Sequence, residues 1–181
     1  DCFTAQCINH STFTIDPYVK QSNYFIDYHL VDAIKSDSIS HLMNYYKDNR
    51  DLDRQLVYGY QGNTVLHEAI YHNAKLCVNF ILKNQVDLTI TNKDGNNPLH
   101  VACLKGNADF ANSLINLGAD LSQKNNKGDT ALHCGIRSGI LDIVVLLVNK
   151  GSSIEDSNNH GETPLHVALE STKKNIKIVS Y

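Results

Sequence analysis

No stretch of the 181-residue sequence reaches the ~18 consecutive apolar residues that a membrane-spanning helix needs. The most apolar run, 140–148, is interrupted by Asp142, so membrane insertion of a helix is not expected. A strong charge of one sign is also lacking. The 16 basic and 19 acidic residues leave a formal net charge of −3, and the densest basic pair is Lys173-Lys174. That pattern gives no electrostatic footprint for nucleic acid or an anionic membrane. The first residues, Asp1-Cys2-Phe3-Thr4, have neither a basic start nor an apolar run, so no secretory leader is visible. An initiating methionine is lacking too, and a trimmed piece of a longer chain is expected. The five cysteines, Cys2, Cys7, Cys77, Cys103 and Cys134, are odd in number and irregular in spacing. They do not make a disulfide framework and point to free buried thiols in a reducing, cytoplasmic or nuclear compartment.

What the chain does have is internal repetition. Hydrophobic residues make up 42%, enough for a packed core and far from a disordered composition. Four segments align without gaps: Gly62-Asn63-Thr64-Val65-Leu66-His67-Glu68-Ala69, Gly95-Asn96-Asn97-Pro98-Leu99-His100-Val101-Ala102, Gly128-Asp129-Thr130-Ala131-Leu132-His133-Cys134-Gly135 and Gly161-Glu162-Thr163-Pro164-Leu165-His166-Val167-Ala168. The glycines stand 33 residues apart. Thr64, Asn97, Thr130 and Thr163 are placed to cap a helix, and Pro98 and Pro164 follow at the first helical position, where a missing N–H costs nothing. A second helix follows in each unit, with Ile81 and Leu82, Leu114 and Ile115, and Leu141, Val144, Leu147 and Val148 on its apolar side.

This pattern resembles the ankyrin family, whose signature is Thr-Pro-Leu-His-x-Ala at a period of about 33 residues. The resemblance implies an all-α repeat solenoid of helix-turn-helix units joined by β-hairpins. The expected organisation is an arm or tail at 1–23 and a degenerate first repeat with its connection at 24–61. Full repeats follow at 62–94, 95–127 and 128–160, with a partial one at 161–181. In the degenerate repeat Leu30, Ala33 and Ile34 form one apolar stripe, and Ile39, Leu42, Met43 and Tyr46 another. Ile176, Ile178 and Val179 begin a second helix that stops at Tyr181, so further repeats are expected beyond it.

Nine histidines and five cysteines raise the question of a metal. The motif histidines recur once per repeat, which places them about 10 Å apart, one helix diameter, and not around one point. In the family this histidine is structural, so His67, His100, His133 and His166 are expected to be buried and hydrogen-bonded near helix starts. No nucleophile elbow, papain-like cysteine context or phosphate loop is present. Neither catalysis nor a cofactor nor a metal is expected. Some family members carry an asparagine in the hairpin that an oxygen-sensing enzyme hydroxylates. Thr89, Ser122 and Glu155 stand at the matching places, so that modification is not expected.

The resemblance implies a protein-interaction module that binds another protein through the concave face of hairpin tips and first-helix ends. The matching positions are Tyr60, Gln61, Asn63, Tyr71 and His72 in one repeat and Lys93, Asp94, Asn96, Leu104 and Lys105 in the next. Asn126, Lys127, Asp129, Arg137 and Ser138 follow, then Asn159, His160 and Glu162. Tyr60, Tyr71, Leu104 and Arg137 are the expected hot spots, since Tyr and Arg most often carry binding energy. Alternatives are the recognition arm of a larger effector, toxin, channel or enzyme, or an inhibitor of the IκB type. The absence of tryptophan, the three prolines and the abundance of Asn, Lys, Ile and Tyr fit AT-rich coding DNA. A pathogen's host-directed protein is one source with such usage.

Overall fold

A computed structural model describes residues 28–48, 61–84 and 86–171 of the chain. The expectations for residues 1–23, for Tyr60 and most of the connection before it, and for residues 172–181 lie outside the described residues. Nine helices occur among those described: α1 (Tyr28–Lys35), α2 (Ile39–Asp48), α3 (Val65–Tyr71), α4 (Lys75–Leu82), α5 (Pro98–Leu104), α6 (Ala108–Asn116), α7 (Ala131–Ser138), α8 (Leu141–Asn149) and α9 (Pro164–Ser171). The helices at 65, 98, 131 and 164 begin three residues after the four glycines, so each motif opens a first helix.

First helices α3 and α5 start at their own cap residues. The Thr64 side chain accepts from the His67 N–H and the Asn97 side chain from the His100 N–H. Pro98 then takes the first helical position of α5. First helices stack on first helices in the order α1, α3, α5, α7, α9, while α2 packs on α4 and α6 on α8. Between them runs one continuous core in which Ile34, Leu42, Ile70, Ile81, Leu99, Leu114, Leu132, Ile143 and Leu147 are almost fully buried.

The degenerate repeat packs as a helix pair, with Leu30, Ala33, Ile34 and Leu42 in the core. Met43, expected on its apolar stripe, is instead 45% exposed. Asp37 ties this pair to the next. It adopts a left-handed backbone, φ 51°, and its carboxylate accepts from the Leu76 and Cys77 N–H groups at the start of α4, at 3.1 and 2.9 Å.

The expected β-hairpins are reduced to tight turns, and the described residues contain no strand. Each tip closes on itself, Gly95 N–H to Asn92 O and Asn92 N–H to Asn96 O, both 2.9 Å, and likewise at 125–129 and 158–162. The rungs that a strand pair would supply run from repeat to repeat instead: Lys93 N–H to Gln61 O, Asn126 N–H to Asp94 O and Asn159 N–H to Lys127 O. With its carbonyls and amides directed to the neighbouring tip, no hairpin needs longer strands. Thr89 and Ser122 each donate a hydroxyl and a backbone N–H to the aspartate two residues earlier, which fixes the approach to the tip.

Gly128 combines a left-handed backbone, φ 75°, with a close approach, since a Cβ there would stand 2.6 Å from the Asn159 backbone nitrogen. Gly161 has the same φ and nothing within 4 Å among the described residues. Gly161→Ala is therefore expected to cost about 1 kcal/mol and Gly128→Ala about 2–4 kcal/mol in urea unfolding. Leu132→Ala, in the core between α7 and its neighbours, is expected to cost about 2–5 kcal/mol by the same measurement.

Candidate interaction surface

The candidate residues stand on the turn tips and at the ends of the first helices, and they divide into three groups. Gln61, Tyr71, His72, Lys93, Asp94, Leu104, Lys105, Asn126, Lys127, Arg137, Asn159 and His160 are exposed, and Ser138 and Glu162 are half-buried. Asn63, Asn96 and Asp129 are buried, at 5%, 7% and 2% exposure, and are withdrawn from the candidate surface. The cause is a second ladder inside the tips. Asn92, Asn125 and Asn158 each fold the side-chain oxygen back onto two N–H groups of their own turn. Each turns its amide nitrogen to the preceding repeat, where Asn63, Asn96 and Asp129 accept at 2.8, 2.8 and 2.9 Å.

Two large apolar side chains stay in the open at equivalent positions of successive repeats, Tyr71 at 47% and Leu104 at 40% exposure. Lys105 lies over the Tyr71 ring with its ammonium 3.4 Å from the centroid, a cation–π contact that holds both side chains. His72 meets the same ring edge-on at 5.3 Å, and its Nε2 stands 3.4 Å from the Glu68 carboxylate. Beside this group a polar cavity of ≈ 460 Å³ opens between Tyr71, Asn73, Lys105, Asn107, Asp109 and Asp142.

Arg137, expected to be a free hot spot, has other partners. Its guanidinium stands 3.3 Å from the buried Asp129 carboxylate and 3.6 Å from Glu162, bridging two repeats. Asn126 and Asn159, though exposed, donate their amides to Lys93 O and Asn126 O of the tips before them. Asn158 donates to Glu162, and this bond holds the Glu162 carboxyl below its usual range.

The motif histidines lie beneath this face. His67, His100 and His133 are buried, and each Nε2 meets a carbonyl 29 residues further on: Asn96 O at 2.9 Å, Asp129 O at 3.1 Å and Glu162 O at 3.0 Å. His166 departs from the expectation. It keeps its contact to Thr163, at 2.7 Å, but is exposed, because no following turn packs on it among the described residues. Burial lowers the His67 pKa to about 4, against the Asn96 carbonyl, which works in the opposite sense. Cys77 and Cys134 are pushed up to about 12 and Cys103 well above the ordinary thiol value, each chiefly by burial. A thiol in that state is a small apolar core group and a poor nucleophile. Among the described residues no three His, Cys, Asp or Glu side chains gather as a metal site would require. Sequence patterns missed the Arg137 bridge and the asparagine ladder. The only signal for the ladder was the recurrence of Asn92, Asn125 and Asn158 at the same place in each unit.

The sequence matches a family model described as ankyrin repeats (3 copies), over residues 30–125 and 114–181. No curated protein matches the chain.

His67 is held neutral by burial, with a folded pKa of about 4 below the ordinary value of 6.5. The unfolded chain therefore takes up the proton first as pH falls. The contribution of His67 is complete above pH ~6.5 and is lost toward pH ~4, by about 3 kcal/mol. Urea unfolding at pH 7, 5.5 and 4 measures this. His67→Gln is expected to be less stable at pH 7 and flatter with pH.

Proposed function

Since the chain belongs to the ankyrin-repeat family, whose repeats are protein-protein interaction modules, we propose that it binds a partner protein through the face of turn tips and first-helix ends. The observation that carries this reading is the exposure of Tyr71 and Leu104 at matching positions of neighbouring repeats. Elsewhere on these first helices the large apolar side chains, Leu66, Ile70 and Leu99, are buried. An aromatic and an aliphatic side chain held side by side, with Lys105 fixed over the ring, make a small rigid anchor surrounded by polar tips. Partner interfaces concentrate their energy in such groups. The tips contribute the exposed polar residues Gln61, Lys93, Asp94, Lys127 and His160.

The reading is of binding and not catalysis. The repeat motif directs its histidines and threonines into the joints between repeats, where they are hydrogen-bonded to backbone. The three described thiols are buried in the core.

Affinity capture with the wild-type chain as bait, followed by binding measurements with the captured protein, tests the proposal. Tyr71→Ala and Leu104→Ala are each expected to weaken binding by more than ~1 kcal/mol while changing stability by less than about 0.5 kcal/mol. Lys83→Glu, on the exposed side of the second-helix layer, is expected to leave binding unchanged. Neutral substitutions at 71 and 104 combined with a loss at 83 would place the partner on the opposite side. Arg137→Ala is no clean probe of binding, because it removes the partner of the buried Asp129.

A further inference from the structure

We propose that the joint between the second and third full repeats is the proton-sensitive joint of the array, because its Asn97–His100 pair sets two acceptors against each other and is relieved when His100 takes up a proton. The difference lies in one atom of the helix cap. In the first joint Thr64 Oγ1 stands 2.7 Å from His67 Nδ1, and in the third Thr130 Oγ1 stands 2.9 Å from His133 Nδ1. A hydroxyl has one proton to give and lone pairs to receive. It donates to the Nδ1 of a neutral ring, leaving Nε2–H free to donate to the carbonyl of the next repeat.

Asn97 has no such freedom. Its Oδ1 accepts from the His100 N–H at 2.9 Å and at the same time stands 2.7 Å from His100 Nδ1. Its amide nitrogen donates to Gln123 Oε1 at 2.7 Å. With the neutral ring donating from Nε2 to Asp129 O, two acceptors face each other at Nδ1. Moving the proton to Nδ1 cures that contact and leaves Nε2 facing the Asp129 carbonyl as a second acceptor. Turning the Asn97 amide over presents a donor to Nδ1 but sets it against the His100 N–H, which loses its cap. Each neutral arrangement therefore keeps one opposed pair, at a site where Asn97 and His100 are 0% and 1% exposed. A protonated ring donates from Nδ1 to Asn97 Oδ1 and from Nε2 to Asp129 O. What it gives up is the long 3.3 Å contact from the Asn97 N–H.

The surrounding charges are few. The Asp129 carboxylate, on the turn before α7, favours the cation, and the backbone carbonyls of Asp129 and Gln123 act in the same sense. Arg137 lies on the far side of Asp129 and moderates its charge. His67, on α3, opposes the cation only when itself protonated. Burial is the largest influence at both His67 and His100, and it holds both rings below the ordinary imidazole value. The threonine joints oppose protonation with the hydroxyl's hydrogen bond to Nδ1 as well, and the asparagine joint does so only through the long Asn97 N–H contact. At neutral pH the array is therefore least well bonded at this joint, and mild acid costs it less than it costs its neighbours.

Histidine-selective NMR titration of the full chain, wild type and Asn97→Thr, tests the proposal. His100 is expected to titrate above His67 in the wild type, and to move down toward His67 in N97T. N97T is also expected to raise Tm by about 2–4 °C at pH 8, a gain that shrinks at pH 5. Asn97→Ser carries the same hydroxyl without the methyl group and repeats the measurement if threonine packs poorly. A His100 that titrates at or below His67, or that does not move in either hydroxyl variant, overturns the proposal. So does an unchanged Tm at pH 8.

Discussion

A buried imidazole with its two nitrogens turned to different repeats is the contact on which this stack depends. In three successive joints Nδ1 meets the cap of its own helix while Nε2 meets a carbonyl 29 residues further along the chain. One side chain thereby fixes both where a first helix begins and where the next turn must lie. An apolar residue would leave the cap and the carbonyl without a partner in a dry site, at about 1–3 kcal/mol for each. A permanently charged one would bring the cost of burying its charge. Burial favours the neutral ring, so the lowered His67 pKa does no damage at neutral pH. That neutrality is why the residue opposite Nδ1 matters so much: threonine can donate to the ring, and asparagine's oxygen cannot.

The second constraint follows from the first. The carbonyls of residues 96, 129 and 162 accept from the turn's own Asn92, Asn125 and Asn158 N–H groups as well as from the imidazole, and the side-chain oxygens of the same asparagines complete the closure of each turn. Their amide nitrogens then need an acceptor, and the preceding turn supplies one in Asn63, Asn96 and Asp129. The interior is thus polar along the tips and apolar between the helices. With hydrophobic residues at 42%, much of the order in the chain comes from satisfied hydrogen bonds that cross from repeat to repeat.

The repeat fold was legible because its signals are local. Glycine every 33 residues, a cap, and Leu-His one turn into the helix all act within a few positions of each other. The candidate face was legible only in part, because burial at the tips is decided by the neighbouring repeat. Asn63, Asn96 and Asp129 read as exposed turn residues until the asparagine 29 positions later reaches back to them. Arg137 reads as a free guanidinium until Asp129 and Glu162 are brought beside it from two different turns. Asp37 gives no sign in the sequence that it caps a helix 39 residues away. Except for Asp129, which lies in the same repeat as Arg137, the decisive partner is roughly one repeat off, beyond the reach of a local pattern.

Burial in such an array is a property of the joint and not of the motif. Leu132 is 1% exposed while Leu165, at the same place in the next unit, is 57% exposed, and His133 is buried where His166 is not. The skeleton positions hold the same residue in every unit, Leu66, Leu99, Leu132 and Leu165 in turn, whether or not a neighbour covers them. The position at the exposed end of the first helix behaves in the opposite way. It carries Tyr71, Leu104, Arg137 and Glu170, a different chemical class in each repeat, on a backbone that the joints have already fixed. A side chain that changes from repeat to repeat, displayed at a regular spacing, is what the proposed binding of a partner would use to discriminate.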